Sequence, residues 1–222
     1  MPTPNFAQAR INMLESQIRT AGVINPAILE AFKNTPKERF VPESAAGIAY
    51  KDEEIVLGHG RYLLEPLVHA KMIEALSPSP QHVVLDVGCA TGYSSAILSS
   101  LVTTVVALDN EQAFLEHADK VWQDLGACNI VSFLGALPEG QSKNAPYDLI
   151  VCNGALAEIP EKLVAQLASG GRMVCIIRPA GAHIGRVTLI ESLGEKGFSS
   201  YTLFDAAGSY LPGFEPAPAF AF

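Results

Sequence analysis

Asp86, Gly88, Gly92 and Asp109 are the residues in this 222-residue chain whose types and order suit a binding chemistry. Residues 83–98 read Val-Val-Leu-Asp-Val-Gly-Cys-Ala-Thr-Gly-Tyr-Ser-Ser-Ala-Ile-Leu, an apolar β run that breaks into a glycine-bracketed turn and continues in helical spacing. In an open α/β sheet such a strand–turn–helix unit borders the ligand crevice beyond the carboxyl ends of the strands, and small residues there let backbone approach a ligand closely. Asp109 ends the next apolar run, Val105-Val106-Ala107-Leu108, about one βαβ unit further on. A carboxylate in that place can accept both hydroxyls of a vicinal diol such as a ribose; the competing role is a cap for the helix beginning near Glu111. Asp86 has two candidate roles as well, orienting a cofactor's ammonium or accepting backbone N–H groups of the turn. The glycines are spaced Gly-x-x-x-Gly rather than Gly-x-Gly-x-x-Gly, so the dinucleotide fingerprint is missing and the pattern favours S-adenosylmethionine over a nicotinamide.

The elements that must carry these residues follow from periodicity. From residue 82 onward strands are expected at about 82–87, 103–109, 129–133, 147–152 and 171–177, with helices at about 92–101, 111–125 and 160–168. That alternation predicts right-handed crossovers and a mostly parallel, doubly wound α/β sheet. Residues 185–191 and 198–204 read as an antiparallel hairpin closing the sheet. Residues 5–50 read as an N-terminal helical extension, with Gly22 stopping the first helix and Asn25-Pro26 starting the second. A short strand and a glycine-hinged loop follow over 51–66, then a helix over about 66–76. The expected organisation is one compact unit, residues 1–80 supplying the extension and a substrate loop and residues 81–222 the cofactor-binding part. The tail from Tyr210 to Phe222 is expected to be a surface wrap or a disordered end.

Composition narrows the function. With 49% hydrophobic and 17% charged residues the chain has room for a sizeable core. A formal charge of −8 provides no basic field for a phosphate backbone, which argues against nucleic acid as partner. Cys89, Cys128, Cys152 and Cys175 form no Cys-x-x-Cys pair and sit beside no histidine at ligand spacing, so no metal is expected and buried, reduced thiols are. No segment approaches the roughly 18 apolar residues that would span a bilayer, and Met1–Phe6 has no basic and apolar leader, so a cytoplasmic location is expected.

Asp86-Val87-Gly88-Cys89-Ala90-Thr91-Gly92, the acid at Asp109, and Pro146-Tyr147-Asp148-Leu149-Ile150-Val151 leading to Leu167–Arg172 resemble the ordered motifs of class I S-adenosylmethionine-dependent methyltransferases. Met13–Arg19, Arg39-Phe40-Val41-Pro42, Tyr50-Lys51-Asp52-Glu53 and Glu158–Leu163 narrow the resemblance to the protein-L-isoaspartate O-methyltransferases, over about residues 10–180. That resemblance implies a Rossmann-like methyltransferase fold and methyl transfer to a carboxyl oxygen of L-isoaspartyl residues in damaged protein. It places Asp86, Gly88, Cys89, Gly92, Tyr93, Asp109, Asn110, Ala136, Leu137 and Asn153 at the cofactor. Tyr93 has a plain core role as its alternative, and Asn153-Gly154 an ordinary turn. Asp148, at the start of its strand, is expected to be structural.

The substrate loop departs from the family. Where that loop reads Gly-Gln-Thr-Ile-Ser-x-Pro, this chain has Gly60-Arg61-Tyr62-Leu63-Leu64-Glu65-Pro66, with tyrosine for threonine and leucine for serine. His59, Arg61, Tyr62 and Leu64 are expected to line the acceptor site, with Tyr62, Leu64 and His59 at the catalytic positions; His69 is a further candidate. Loss of an active-site donor at Leu64 would remove about 3–4 kcal/mol of transition-state stabilisation, by analogy with oxyanion-hole deletions. Ala136 stands where the family has an aspartate near the adenine, a contact worth about 0.5–1.5 kcal/mol. The expected acceptor is therefore a protein, a peptide or a small-molecule carboxylate. The alternatives are a methyltransferase with a different acceptor and a noncatalytic cofactor-binding homologue.

Overall fold

The computed structural model describes residues 5–217. A seven-stranded sheet runs through it, built from β3 (Val83–Val87), β4 (Thr104–Asp109), β5 (Ile130–Leu134), β6 (Tyr147–Leu156), β7 (Leu167–Ile177), β8 (Gly185–Ser192) and β9 (Phe198–Ala206). The spatial order is β5-β4-β3-β6-β7-β8-β9, parallel as far as β7 and antiparallel for the last two pairings. The chain winds outward from β3 to β5, then returns to the other side of β3 as β6. That reversal is the switch point at which an open α/β sheet leaves a crevice beyond its carboxyl ends. Asp86 in β3, Asp109 ending β4 and Asn153 in β6 all lie near that edge.

Alternation along the central strands sorts their side chains onto two faces. Val84, Val105, Ala107, Leu149 and Val151 join one core cluster, and Leu85, Val106, Leu108 and Ile150 join the other. Burial on both faces explains the near-continuous apolar runs in the sequence. The first cluster is covered by α2 (Pro26–Asn34), α3 (Pro66–Leu76), α4 (Tyr93–Ser99) and α5 (Gln112–Leu125), and it takes in the N-terminal extension without a break. The second is covered by the short α6 (Glu161–Val164), by Leu137 and by Leu211 and Phe214 from the tail.

Local chemistry sets the boundaries. Asn25 caps α2 by accepting from the Ala27 amide, with Pro26 at the first helical position. α1 (Phe6–Met13) passes into a wide π turn over Leu14–Ile18, which turns Met13, Leu14 and Ile18 together into the core. The last expected helix is shorter than periodicity predicts, because β7 already begins at Leu167. Between α2 and α3 the chain forms a two-stranded hairpin, β1 (Ile55–Gly58) and β2 (Arg61–Leu63), in place of one strand and a loop. Among the described residues no helix is long and apolar enough to cross a membrane, and no group of three or more His, Cys, Asp or Glu side chains is arranged to hold a metal ion.

Candidate functional site at the sheet rim

Asp109 is fully buried and both its oxygens are engaged. Oδ2 accepts from the Ala90 amide at 2.7 Å and Oδ1 from the Glu111 amide at 3.0 Å. Ala90 holds a left-handed φ of 47° that aims its N–H at this carboxylate. The remaining acceptor directions are taken by Arg61, whose Nη1 donates to Oδ1 at 2.9 Å and Oδ2 at 2.8 Å. Nη2 of the same guanidinium donates to the Gly88 carbonyl at 2.8 Å. Arg61 is 2% exposed, so the pair is dry and charge-assisted on both sides.

The glycines of the turn are required, but by the chain's own side chains. A Cβ at Gly88 would stand 2.7 Å from Leu211 Cδ2 and 2.9 Å from Arg61 Nη2. One at Gly92, where φ is +92°, would stand 2.5 Å from the Trp122 ring, whose Nε1 donates to the Gly92 carbonyl. Gly154 likewise admits Leu211, with Leu211 Cγ 2.9 Å from the place of a Cβ. The gap left between Gly60, Arg61, Asn153 and Leu211 has no room for a water molecule.

The donors and acceptors expected of a nucleoside site are thus present at the switch point, and the space is filled from within. In this conformation the rim does not fit a ribose. Asp109 is here engaged by Arg61 and by two backbone amides rather than open to a diol. Of the tail expected to be a surface wrap or a disordered end, Ser209 to Phe214 is strapped to the end of β6, while residues 218–222 lie outside the described residues. The Ala155 amide donates to the Ser209 carbonyl, the Leu211 amide to the Ala155 carbonyl, and the Ala157 amide to the Phe214 carbonyl.

Asp86 accepts from the hydroxyls of Ser94 and Ser95 and from the Asn153 amide, while the turn amides of Gly88 and Cys89 donate to the Leu108 carbonyl instead. Its backbone-capping role is therefore not observed. Burial pushes its carboxyl up to about 6, against the lowering effect of its three hydrogen bonds. Asp148 accepts from the Val83 amide at the far end of the sheet, a structural use as expected.

The other expected site residues separate. Tyr93 packs with Phe32, Phe40 and His69 in the core, its alternative role. Cys89 and Leu137 are buried, whereas Asn110 is exposed with Oδ1 3.4 Å from Arg61 Nη1, and Ala136 is exposed beside a short turn. In β2 the two-residue period sends Arg61 and Leu63 inward and leaves Tyr62 half-buried on the other face. Leu64 packs into the main core, and His59, at the hairpin tip, is exposed with Nδ1 3.1 Å from Glu111 Oε2. The expected acceptor cluster of His59, Arg61, Tyr62 and Leu64 is therefore dispersed. Sequence reading missed Leu211 and the Glu54–Ser209 contact; an apolar Leu-Pro-Gly-Phe after Ala206-Ala207-Gly208-Ser209 was the available signal.

The protein-L-isoaspartate(D-aspartate) O-methyltransferase family model matches residues 9–192. A protein-L-isoaspartate O-methyltransferase of Methylorubrum extorquens is 37% identical over 182 residues, covering 82% of this chain and 79% of its own. One from Syntrophus aciditrophicus is 32% identical over 190 residues, covering 86% of each. Among solved structures, a protein-L-isoaspartate O-methyltransferase superposes with a TM-score of 0.79 at 23% identity, over 92% of this chain and 66% of that one. A Plasmodium falciparum protein provisionally assigned the same activity, solved in complex with S-adenosyl-L-homocysteine, gives 0.74 at 18% identity over 93% and 97%. These structures share the Rossmann-like methyltransferase fold. By its matched length and by the identity of its relatives, the chain belongs to the protein-L-isoaspartate O-methyltransferase family.

Proposed function

We propose that the chain is an S-adenosylmethionine-dependent O-methyltransferase acting on a carboxylate of a protein or peptide, the L-isoaspartyl side chain its first candidate. The observation that carries this reading is the placement of Asp86 and Asp109 at the carboxyl edge of neighbouring strands β3 and β4, beside the switch point, in a chain 37% identical to a relative bearing that activity's name. The cofactor would supply an electrophilic methyl group. Asp109 offers the diol acceptor and the Gly88 turn the close backbone approach, once Arg61 and Leu211 leave them.

A different acceptor is the second reading, which the named relatives do not favour and which rests on Leu64 alone. Its buried side chain offers no hydrogen bond where the resembled loop has serine. Both readings are tested by labelled methyl transfer from S-adenosylmethionine to an isoaspartyl peptide and to its aspartyl twin. Transfer to the first alone supports the isoaspartyl activity. Cofactor binding without transfer to either peptide supports another acceptor.

A further inference from the structure

Resting on that reading, we propose that Arg61 and Leu211 form an internal latch that occupies the cofactor's sugar position, so that cofactor enters only when the β1–β2 hairpin and segment 209–214 withdraw together. Arg61 fills on Asp109 the place that a diol would take. With two backbone amides already on the carboxylate, the guanidinium completes its acceptor capacity, so a ribose must displace Arg61 and cannot simply add beside it. Leu211 fills the space over Gly88 that the absent Cβ leaves, which is the approach a ligand needs.

The two arms are tied to one another. Glu54, just before β1, accepts from the Ser209 amide and hydroxyl, both at 3.3 Å. The hairpin tip is held a second time, by His59 against Glu111 and edge-on to Phe114. The tail is held a second time by Tyr210, whose hydroxyl donates to the Arg178 carbonyl and whose ring lies 3.8 Å from the Arg178 guanidinium carbon. Glycine supplies the hinge positions. Gly58, His59 and Gly60 all adopt positive φ at the hairpin tip, and Gly208 precedes the tail arm.

Such an arrangement gives two states, latched and open, and a ligand that binds only the open state has its apparent affinity lowered by the open fraction. Breaking a buried, hydrogen-bonded ion pair is costly enough that the latched chain should bind cofactor roughly a hundredfold more weakly than an unlatched one. The closed rim and the family's chemistry are then reconciled: the same carboxylate serves as anchor for the latch and as acceptor for the sugar.

The test is titration calorimetry of the full chain with S-adenosylmethionine and with S-adenosylhomocysteine, comparing wild type, Arg61→Gln and Leu211→Ala. Leu211→Ala leaves the ion pair intact and decides the matter if Arg61→Gln does not fold, which a thermal melt reports. The latch is supported by tighter binding in either folded variant, roughly tenfold for Leu211→Ala and a hundredfold for Arg61→Gln. Wild-type binding as tight as that of the folded variants overturns the latch and leaves the methyltransferase reading standing. No binding by wild type or by any folded variant overturns both.

Discussion

Arg61 and Lys37 each carry a positive side chain from the N-terminal third into the interior, Arg61 to the sheet rim and Lys37 to the aromatic pocket beside Tyr93. At the rim, the guanidinium finds two carboxylate oxygens and a carbonyl. In the pocket, Lys37 Nζ, both ring nitrogens of His69 and the Tyr93 hydroxyl have no hydrogen-bond partner. The difference is one of pairing: the Arg61 guanidinium meets a carboxylate, while burial without such a partner pushes the Lys37 amine down to about 7 and the His69 ring down to about 3. A paired buried charge closes a site firmly; unpaired bases are tolerated only as long as they stay neutral.

The largest effect expected from breaking this contrast is at the rim. Asp109→Ala leaves the Arg61 guanidinium buried without its counter-charge and should cost about 3–5 kcal/mol in denaturant unfolding. The double change Arg61→Met, Asp109→Leu should recover most of that loss, because apolar groups of similar size need no charge partner. A single-variant cost under about 1 kcal/mol would show that the pair does not hold the rim.

How much of this was readable in the sequence depends on the range of the interaction. β3 and β4 were legible because burial on both faces writes itself as apolar runs, and α5 because its apolar stripe recurs every three or four residues. Asp86 and Asp109 were legible as rim residues because strand ends are local features. Arg61 was placed in the right loop with the wrong partner: its contact with Asp109 spans 48 residues, and nothing local in Gly60-Arg61-Tyr62 specifies it. Leu211 was missed for the same reason. One leucine after a Gly-Ser stretch is an ordinary tail until β6 is known to offer Ala155 and Gly154 to it.

The aromatic pocket should show itself through pH. The Lys37 pKa is lowered on folding, so between about 7 and 10.5 the unfolded chain binds the extra proton and stability rises with pH. Below about 7 that penalty is fully present. The His69 pKa is lowered too, so its contribution is complete above the ordinary value of 6.5 and is lost as pH falls toward 3. Lys37→Met should therefore flatten the rise between pH 7 and 10, by up to about 1.4 kcal/mol per pH unit of the depression, and should raise stability at pH 7. An unchanged slope in the variant would mean that the amine has found a charge partner, and the contrast with Arg61 would disappear.

The smallest effect is read by thiol chemistry and asks whether the rim opens on its own. Cys128 is exposed, whereas Cys89, Cys152 and Cys175 are buried with their thiols pushed up by burial, Cys175 to about 12. An aromatic disulfide reagent at pH 8 should titrate one thiol quickly and three slowly. Cys89 follows Gly88 in the turn that Leu211 covers, whereas Cys152 and Cys175 lie within β6 and β7 of the sheet. Leu211→Ala should then speed Cys89 alone, severalfold, with the other two slow thiols unchanged. Equal acceleration of all three would report general loosening of the fold, and no acceleration would mean that Arg61 alone keeps the rim shut.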